Sequence, residues 1–354
     1  MKNTVLRLNI GVALLLSMVF SWPLLAGEPV AEKSIFDLMN YREVLDLTLE
    51  ADLATFKVDR QNTSSHPAKI SFKDVSGEPQ EWDLKIKLRG AFRRMKCTDV
   101  PPLKLNFKKS ELEKAGLAKF DDLKLVPQCF ADQAAAKESL LKEYLAYKLY
   151  NEMSGYSFRV QLVRITYVDI TTGQKDKQWA FLIEDAAQLR ARLHAEKMED
   201  KYNLPVDSFH LSQARLMAVF EYLIGNGDWS FRNLKNVKFM RKKGKVIPVP
   251  YDFDFSGMVN AAYAIPNVSV GQTSVQERVF LGFENDPGLL HSTIYHVLGK
   301  QEKLEAIVLG FKPLSYSSRL EVLEYLRDFF ESPEQIKMMD LTVVSESREN
   351  PSDR

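Results

Sequence analysis

Beyond residue 43 the chain opens with short runs in which apolar and polar residues alternate. VLDLTLE, AKISFKD, EWDLKIKLRG and PPLKLNF each place every second residue on one face, and Gly, Pro, Asn and Ser separate them. A period of two is the repeat of a half-buried strand, so these runs predict an antiparallel sheet with one wet face. In PPLKLNF, Leu103, Leu105 and Phe107 share a face, which leaves Lys104 and Asn106 on the other. The period then changes. From about Lys137 to Tyr150, Leu140, Leu141, Tyr144, Leu145 and Leu149 form a stripe at helical spacing, with Glu138 and Glu143 off or beside it. FRVQLVRITYVDI and KQWAFLIED around TTGQKD return to strand spacing and predict a hairpin ending near Glu184.

The second half of the chain is patterned mainly as helix. In SFHLSQARLMAVFEYLIG, Leu211, Ala214, Met217 and Leu223 recur at helical spacing, with Asp207 or Ser208 as the N-cap and Gly225 as the stop. NVKFM and KVIPV are short strands folded back on each other by the RKKG turn. Helical patterns recur in DPGLLHSTIYHVLG and SRLEVLEYLRDFFES, and the polar tail SESRENPSDR reads as disordered. Strands followed by helices give an α+β class. The 354 residues, 45% hydrophobic, divide into a β-rich lobe with one long helix (27–183), a hinge near Glu184, a mainly helical lobe (184–342) and a disordered tail (343–354).

Lys2 and Arg7 precede an apolar run from Ile10 to Leu25, followed by Ala26 and Gly27. That is the layout of a secretory signal peptide over residues 1–26. The alternative is an uncleaved anchor, because Leu24 stands at the third position before a cut after Ala26, where a small residue is preferred. No later segment approaches transmembrane length, so the expected location is secreted or periplasmic. Removal of residues 1–26 leaves 46 basic residues against 47 acidic ones. A near-neutral chain with interleaved charges has no footprint for nucleic acid. Arg89, Arg93, Arg94 and Lys96 form the one local basic cluster. Cys97 and Cys129 can form a disulfide in that compartment or remain two buried thiols, and their spacing matches no zinc site. The five histidines are scattered without partners at metal-ligand spacing.

The candidate chemistry lies in NGDWSFRNLKN and PYDFDFSG. Phosphoryl transfer depends on positioning and charge neutralisation: it needs a carboxylate near the attacking hydroxyl and hard oxygen ligands for magnesium. Asp228 follows a helix, Asn236 opens the first strand of the RKKG hairpin, and Asp252 follows the second. The hairpin therefore brings Asn236 and Asp252 within reach of one metal. Asn233, five residues after Asp228, competes with Asn236, and Asp254 competes with Asp252 because an extended DFD would put both carboxylates on one side. Taken singly, each residue is equally explained as an ordinary loop Asp or Asn capping a turn.

These pieces resemble the CotH (spore-coat) kinase family of the protein-kinase-like superfamily. The matching segments are IKLRG followed by PPLKLNF, LLKEYLAYKLYNEMSG, the hairpin ending in FLIED, IGNGDWSFRNLKNVKF and VPYDFDFSG, over roughly residues 80 to 260. The resemblance implies a two-lobed kinase-like fold that uses ATP with Mg2+ or Mn2+. It also implies transfer of the γ-phosphate to a Ser or Thr hydroxyl of a cell-envelope or extracellular protein. Asp228 would be the catalytic base and Asn236 and Asp252 the metal ligands. Lys104 would anchor phosphate and pair with Glu143, and Arg89 and Glu184 would complete the nucleotide site. No GxGxxG loop is present, so covering the phosphates would fall to the arginines of RGAFRRMKC. The alternatives are a catalytically silent binding or assembly module and a same-fold enzyme that transfers a nucleotidyl group.

Overall fold

The computed structural model describes residues 33–61, 64–97, 100–130, 132–199, 201–282 and 286–332. The expected signal peptide and polar tail lie outside them. Seven strands, β1 (Val44–Ala51), β2 (His66–Lys73), β3 (Pro79–Leu88), β4 (Leu103–Phe107), β5 (Asp122–Pro127), β6 (Val160–Asp169) and β7 (Lys175–Ile183), close into a barrel in the order β1-β2-β3-β4-β5-β7-β6. Neighbours run antiparallel except β6 and β1, which are parallel with Val44 beside Leu162. Alternation decides what goes inside: Leu47, Ile70, Ile86, Leu105, Leu125 and Ile165 are fully or almost fully buried in one core. Closure corrects the open sheet that the pattern suggests. The strand that completes it is β5, whose DLKLVP run is too short to stand out in the sequence, and β6 then docks against β1 and removes the free edge.

Four short helices decorate the barrel: α1 (Ile35–Met39), α2 (Leu53–Val58), α3 (Phe92–Lys96) and α4 (Lys109–Lys114). The long helix α5 (Gln133–Met153) is seven residues longer than its apolar stripe indicates. Its start is set by Asp132, whose carboxylate accepts from the N–H groups of Ala134 and Ala135. Leu141, Leu145, Tyr147 and Tyr150 of α5 belong to a second core with Leu162, Phe181 and Ile183, which point outward from the barrel. That is why β6 begins and β7 ends in a run of consecutive buried residues instead of alternating ones.

The C-terminal region is largely helical. It contains α6 (Ala186–Arg192), α7 (Leu211–Leu223), α8 (Pro287–Leu298), α9 (Gln301–Gly310) and α10 (Tyr316–Glu331), with a small sheet β10-β9-β8 built from β8 (Glu196–Lys197), β9 (Val237–Lys242) and β10 (Lys245–Pro250). The RKKG hairpin is as expected. Lys243 and Gly244 both have positive φ, 49° and 75°, the conformation a two-residue turn requires. The start of α7 differs from expectation. His210 is its N-cap, while Asp207 and Ser208 lie in a preceding 3-10 turn, because the His210 N–H bonds to the Val246 carbonyl and ties the helix start to β10. The second core runs from α5 through α7 to α10, so the two halves expected on either side of Glu184 are joined by continuous apolar packing.

Cys97 and Cys129 form a disulfide, with their Cα atoms 4.7 Å apart. This decides between the two sequence alternatives and fits an oxidising, extracytoplasmic compartment. Among the described residues no helix is long and apolar enough to cross a membrane.

Candidate functional site

At the end of α7 the chain turns sharply at Gly225, whose φ is 65° and where a Cβ would meet the Tyr325 hydroxyl at 1.9 Å. The following loop is pinned by buried Trp229 and Phe231 and closed by paired backbone bonds between Ser230 and Lys235, at 3.0 and 3.1 Å. The apolar anchors that follow it leave Asp228 projecting from a fixed loop. The Asn236 amide donates to both the main-chain oxygen of Asp228 (2.8 Å) and its Oδ2 (3.0 Å), and Lys235 forms an ion pair with Oδ1. Since the Asn236 nitrogen is committed to Asp228, its Oδ1 is the atom left to face a ligand.

The β9–β10 hairpin brings the second carboxylate alongside. Asn236 precedes β9, Asp252 follows β10, and the Tyr251 N–H bonds across to the Asn236 carbonyl at 3.0 Å. Both residues are left-handed, Asn236 with φ 53° and Asp252 with φ 68°. Paired non-glycine residues in that region carry a conformational cost and are held there by their surroundings. For Asp252 the holding contacts are its own N–H donating to the Tyr147 hydroxyl at 2.9 Å and the neighbouring Phe253 packed against Tyr147 and Phe220. The DFD segment is therefore not extended, as the sequence reading supposed, yet Asp252 and Asp254 still converge. One carboxylate oxygen each from Glu143, Asp252 and Asp254 lies within 4.8 Å of the others.

Arg93 determines which of those carboxylates is available. It is buried on α3, donates to Glu143 at 2.5 Å and to Asp254 at 2.8 Å, and the Tyr263 hydroxyl also donates to Asp254 at 2.9 Å. The Asp252 carboxylate has no hydrogen-bond or ion-pair partner among the described residues. Burial, then the Asp254 charge, pushes the Asp252 carboxyl up, against the pull of Arg93, Arg89 and Lys124. Burial also pushes Asp228 up, opposed chiefly by Lys235. For Glu143 the same cause raises the carboxyl to about 8, and its Oε1 is buried without a partner. An all-oxygen set with an uncommitted carboxylate and an uncommitted amide oxygen matches the ligand chemistry of a hard divalent cation.

These groups face a cleft of about 600 Å³ lined by Arg89, Arg93, Asp228, Asn236, Asp252 and Asp254, with Ile265 and Val268 on its outer wall. Asp228, Asn236, Asp252 and Arg89, singled out in the sequence, meet here, and Gly90 permits the loop with φ 73°. Asp254 meets them as well, whereas Asn233 is exposed and lies outside the cleft.

Three expectations need correction. Lys104 does not pair with Glu143: its Nζ is 2.5 Å from Asp122 on β5, because it points outward from the barrel, and the partner of Glu143 is Arg93. Glu184 is fully buried and held by Arg159 and Arg192 at 2.9 and 2.7 Å, so its carboxylate does not line the cleft. The arginines of RGAFRRMKC are not all free. Arg93 is committed internally, and Arg89 is the one lining the cleft without an ion pair among the described residues.

Sequence reading missed Lys124. It lies on β5 directly across from Lys104 and rests on the faces of Tyr251 (4.5 Å) and Phe158 (5.4 Å). Burial, then the Arg89 charge, lowers its amine to about 7, with Asp252 opposing. The available signal was the alternation in DLKLVP, with Lys124 between Leu123 and Leu125. Neither a scan against protein-family models nor a search of curated proteins finds a match for this chain.

Proposed function

We propose that the chain is a secreted or periplasmic phosphotransferase with a two-lobed, CotH-like kinase fold, which transfers the γ-phosphate of ATP to a Ser or Thr hydroxyl of a cell-envelope protein. The observation that carries the reading is the convergence, in one cleft, of a loop carboxylate and two oxygen donors that lie 8 and 24 positions further along the chain. The Asn236 amide fixes Asp228, and the mouth of the β9–β10 hairpin holds Asn236 beside Asp252. Asp228 would accept or orient the acceptor hydroxyl. Asn236 Oδ1 and Asp252 would hold Mg2+, which, when bound, neutralises charge on the phosphate oxygens. Arg89 is placed to take phosphate oxygens at the cleft wall, and Lys124, whose charge acts on Asp252, would take the part given to Lys104. Arg93 keeps Asp254 and Glu143 in an internal triad and so reserves Asp252 for the metal.

One observation favours a silent binding module: the Lys235 ammonium occupies Oδ1 of Asp228, the oxygen a hydroxyl would approach. The two readings separate in a label-transfer experiment. Protein lacking residues 1–26 is incubated with Mg2+ and either γ-labelled or α-labelled ATP, in parallel with Asp228→Asn. Label from the γ position, lost in Asp228→Asn while ATP binding persists, is the expected result. Label from the α position would replace the kinase by a nucleotidyl transferase, and ATP binding with transfer of neither label would leave the binding module.

A further inference from the structure

Glu221 is fully buried in the last turn of α7. Its position is unfavourable twice over, since a buried carboxyl loses hydration and an acidic group near a helix C-terminus opposes the helix dipole. Leucine would fill the site without either cost. What the carboxyl does instead is hold Asn226: Oε2 accepts from Asn226 Nδ2 at 2.9 Å, and the Glu221 carbonyl accepts from the Asn226 N–H at 2.8 Å. Held in this way, the Asn226 amide presents its Oδ1 to the loop and accepts the Asp228 N–H at 2.9 Å. Asn226 also bridges to Ser256, just past the carboxylate segment, and the Gly257 N–H donates to the Gly225 carbonyl at 3.0 Å. The Asn226 side-chain amide therefore registers the helix end and the Asp228 loop, and the main chain at Gly225 and Asn226 registers the exit of the hairpin.

We infer that Glu221 and Asn226 are positioning residues that fix the direction of the Asp228 carboxylate in the cleft, Glu221 by orienting the Asn226 amide and Asn226 by holding the Asp228 main chain. The inference rests on the phosphotransfer reading for its consequence in turnover, and on the hydrogen bonds alone for its consequence in loop order. Burial pushes Glu221 up to about 8, so near neutrality it is mainly protonated and its carbonyl oxygen is the acceptor for Asn226. Glutamine offers the same acceptor in the same place.

The test compares the native protein lacking residues 1–26 with Glu221→Leu, Glu221→Gln and Asn226→Ala. Three quantities are read: γ-phosphate transfer to a generic acceptor protein, the KM for ATP, and hydrogen exchange of the Asp228 amide. Glu221→Leu and Asn226→Ala are expected to lower kcat by about 10- to 100-fold, the order of loss for a displacement near 1 Å, with the KM for ATP changed less than about twofold. Both should lose protection of the Asp228 amide, while Glu221→Gln should restore turnover and protection to within about threefold of native. Native turnover in Glu221→Leu, or a Glu221→Gln variant as impaired as Glu221→Leu, overturns the inference. If Glu221→Leu does not fold, Asn226→Ala decides in its place. If the native protein transfers no label, the phosphotransfer reading fails separately. The latch is then decided by exchange alone, and unchanged protection in the folded variants rejects it.

Discussion

The barrel and the cleft are built on opposite principles, though Arg93 and the disulfide place them within a few residues of each other. The barrel core is a cluster of aliphatic and aromatic side chains, among them Leu47, Ile70, Ile86, Leu105 and Leu125, and each of these can be replaced in thought without altering a neighbour's charge. Around the cleft, Glu143, Asp252 and Asp254 are crowded together, Arg93 is buried between two of them, and two non-glycine residues stand at positive φ. The barrel lowers the free energy of the fold. The cleft raises it, and such cost persists where a site must be preorganised.

One substitution in each region separates the two most directly. Arg93→Met leaves Glu143 and Asp254 buried without a cation, a change expected to cost about 3–5 kcal/mol. Leu105→Ala in the barrel is expected to cost about 2–5 kcal/mol through lost burial and a cavity. The two differ in their pH dependence. Without Arg93, the Glu143 carboxyl, already raised to about 8, rises further. In both proteins the folded form keeps a proton that the unfolded chain releases near pH 4, so both lose stability as pH climbs from about 4 toward 8, and the extra loss in Arg93→Met appears from about pH 8 upward. Urea midpoints at about pH 7 and about pH 9 should diverge for Arg93→Met relative to native, and should fall by a common amount for Leu105→Ala. Equal losses at both pH values for Arg93→Met would mean that the carboxylates gain nothing from the guanidinium.

The Cys97–Cys129 bond couples the regions, because it ties the end of α3, which carries Arg93, to the segment between β5 and α5. With the cysteines separated by 32 positions, the chain-entropy model gives about 3–4 kcal/mol. Reduction, or the double change to serine, should lower the melting temperature accordingly. If Arg93 is held in place by this tether, the same treatment should also weaken binding of ATP with Mg2+. A lowered melting temperature with unchanged nucleotide affinity would confine the bond to the fold.

This contrast also explains what the sequence made legible. β1 to β4 and the β6–β7 hairpin follow from alternation, since one buried face and one wet face leave a period of two in the sequence. Asp228, Asn236 and Asp252 were visible because each sits at an element boundary that Gly225 and the RKKG turn mark. What escaped depends on pairing across long distances. Nothing near Arg93 indicates that its partners are 50 and 161 positions away, and nothing near Lys104 indicates that Asp122 will intercept it. Lys124 escaped because β5 is short, and the Glu221–Asn226 latch because a glutamate in an apolar helix reads as an exposed position until the helix is seen to be buried on nearly every side.

The smallest effect in energy is the one that best separates the two regions. Asp252→Asn retains the size of the side chain and tolerates the left-handed backbone at φ 68°, which alanine would not. It removes a carboxylate whose folded pKa is raised by burial and by Asp254. A raised carboxyl is a penalty fully present above its folded pKa and absent below the unfolded value near 3.9. The variant should therefore be more stable than native at pH 7, an advantage that fades as pH falls toward 4. If the proposed phosphotransfer function holds, ATP with Mg2+ should stabilise the native protein by about 2.7 kcal/mol at a hundredfold excess over Kd, and the variant should lose that stabilisation. Thermal melts at pH 7 and pH 4, with and without ATP and Mg2+, measure both quantities on one sample. A substitution that strengthens the fold while removing its ligand response marks Asp252 as a residue kept for the cleft. A variant less stable than native at pH 7, with the ligand response intact, would make Asp252 a structural residue and transfer the metal role to Asp254.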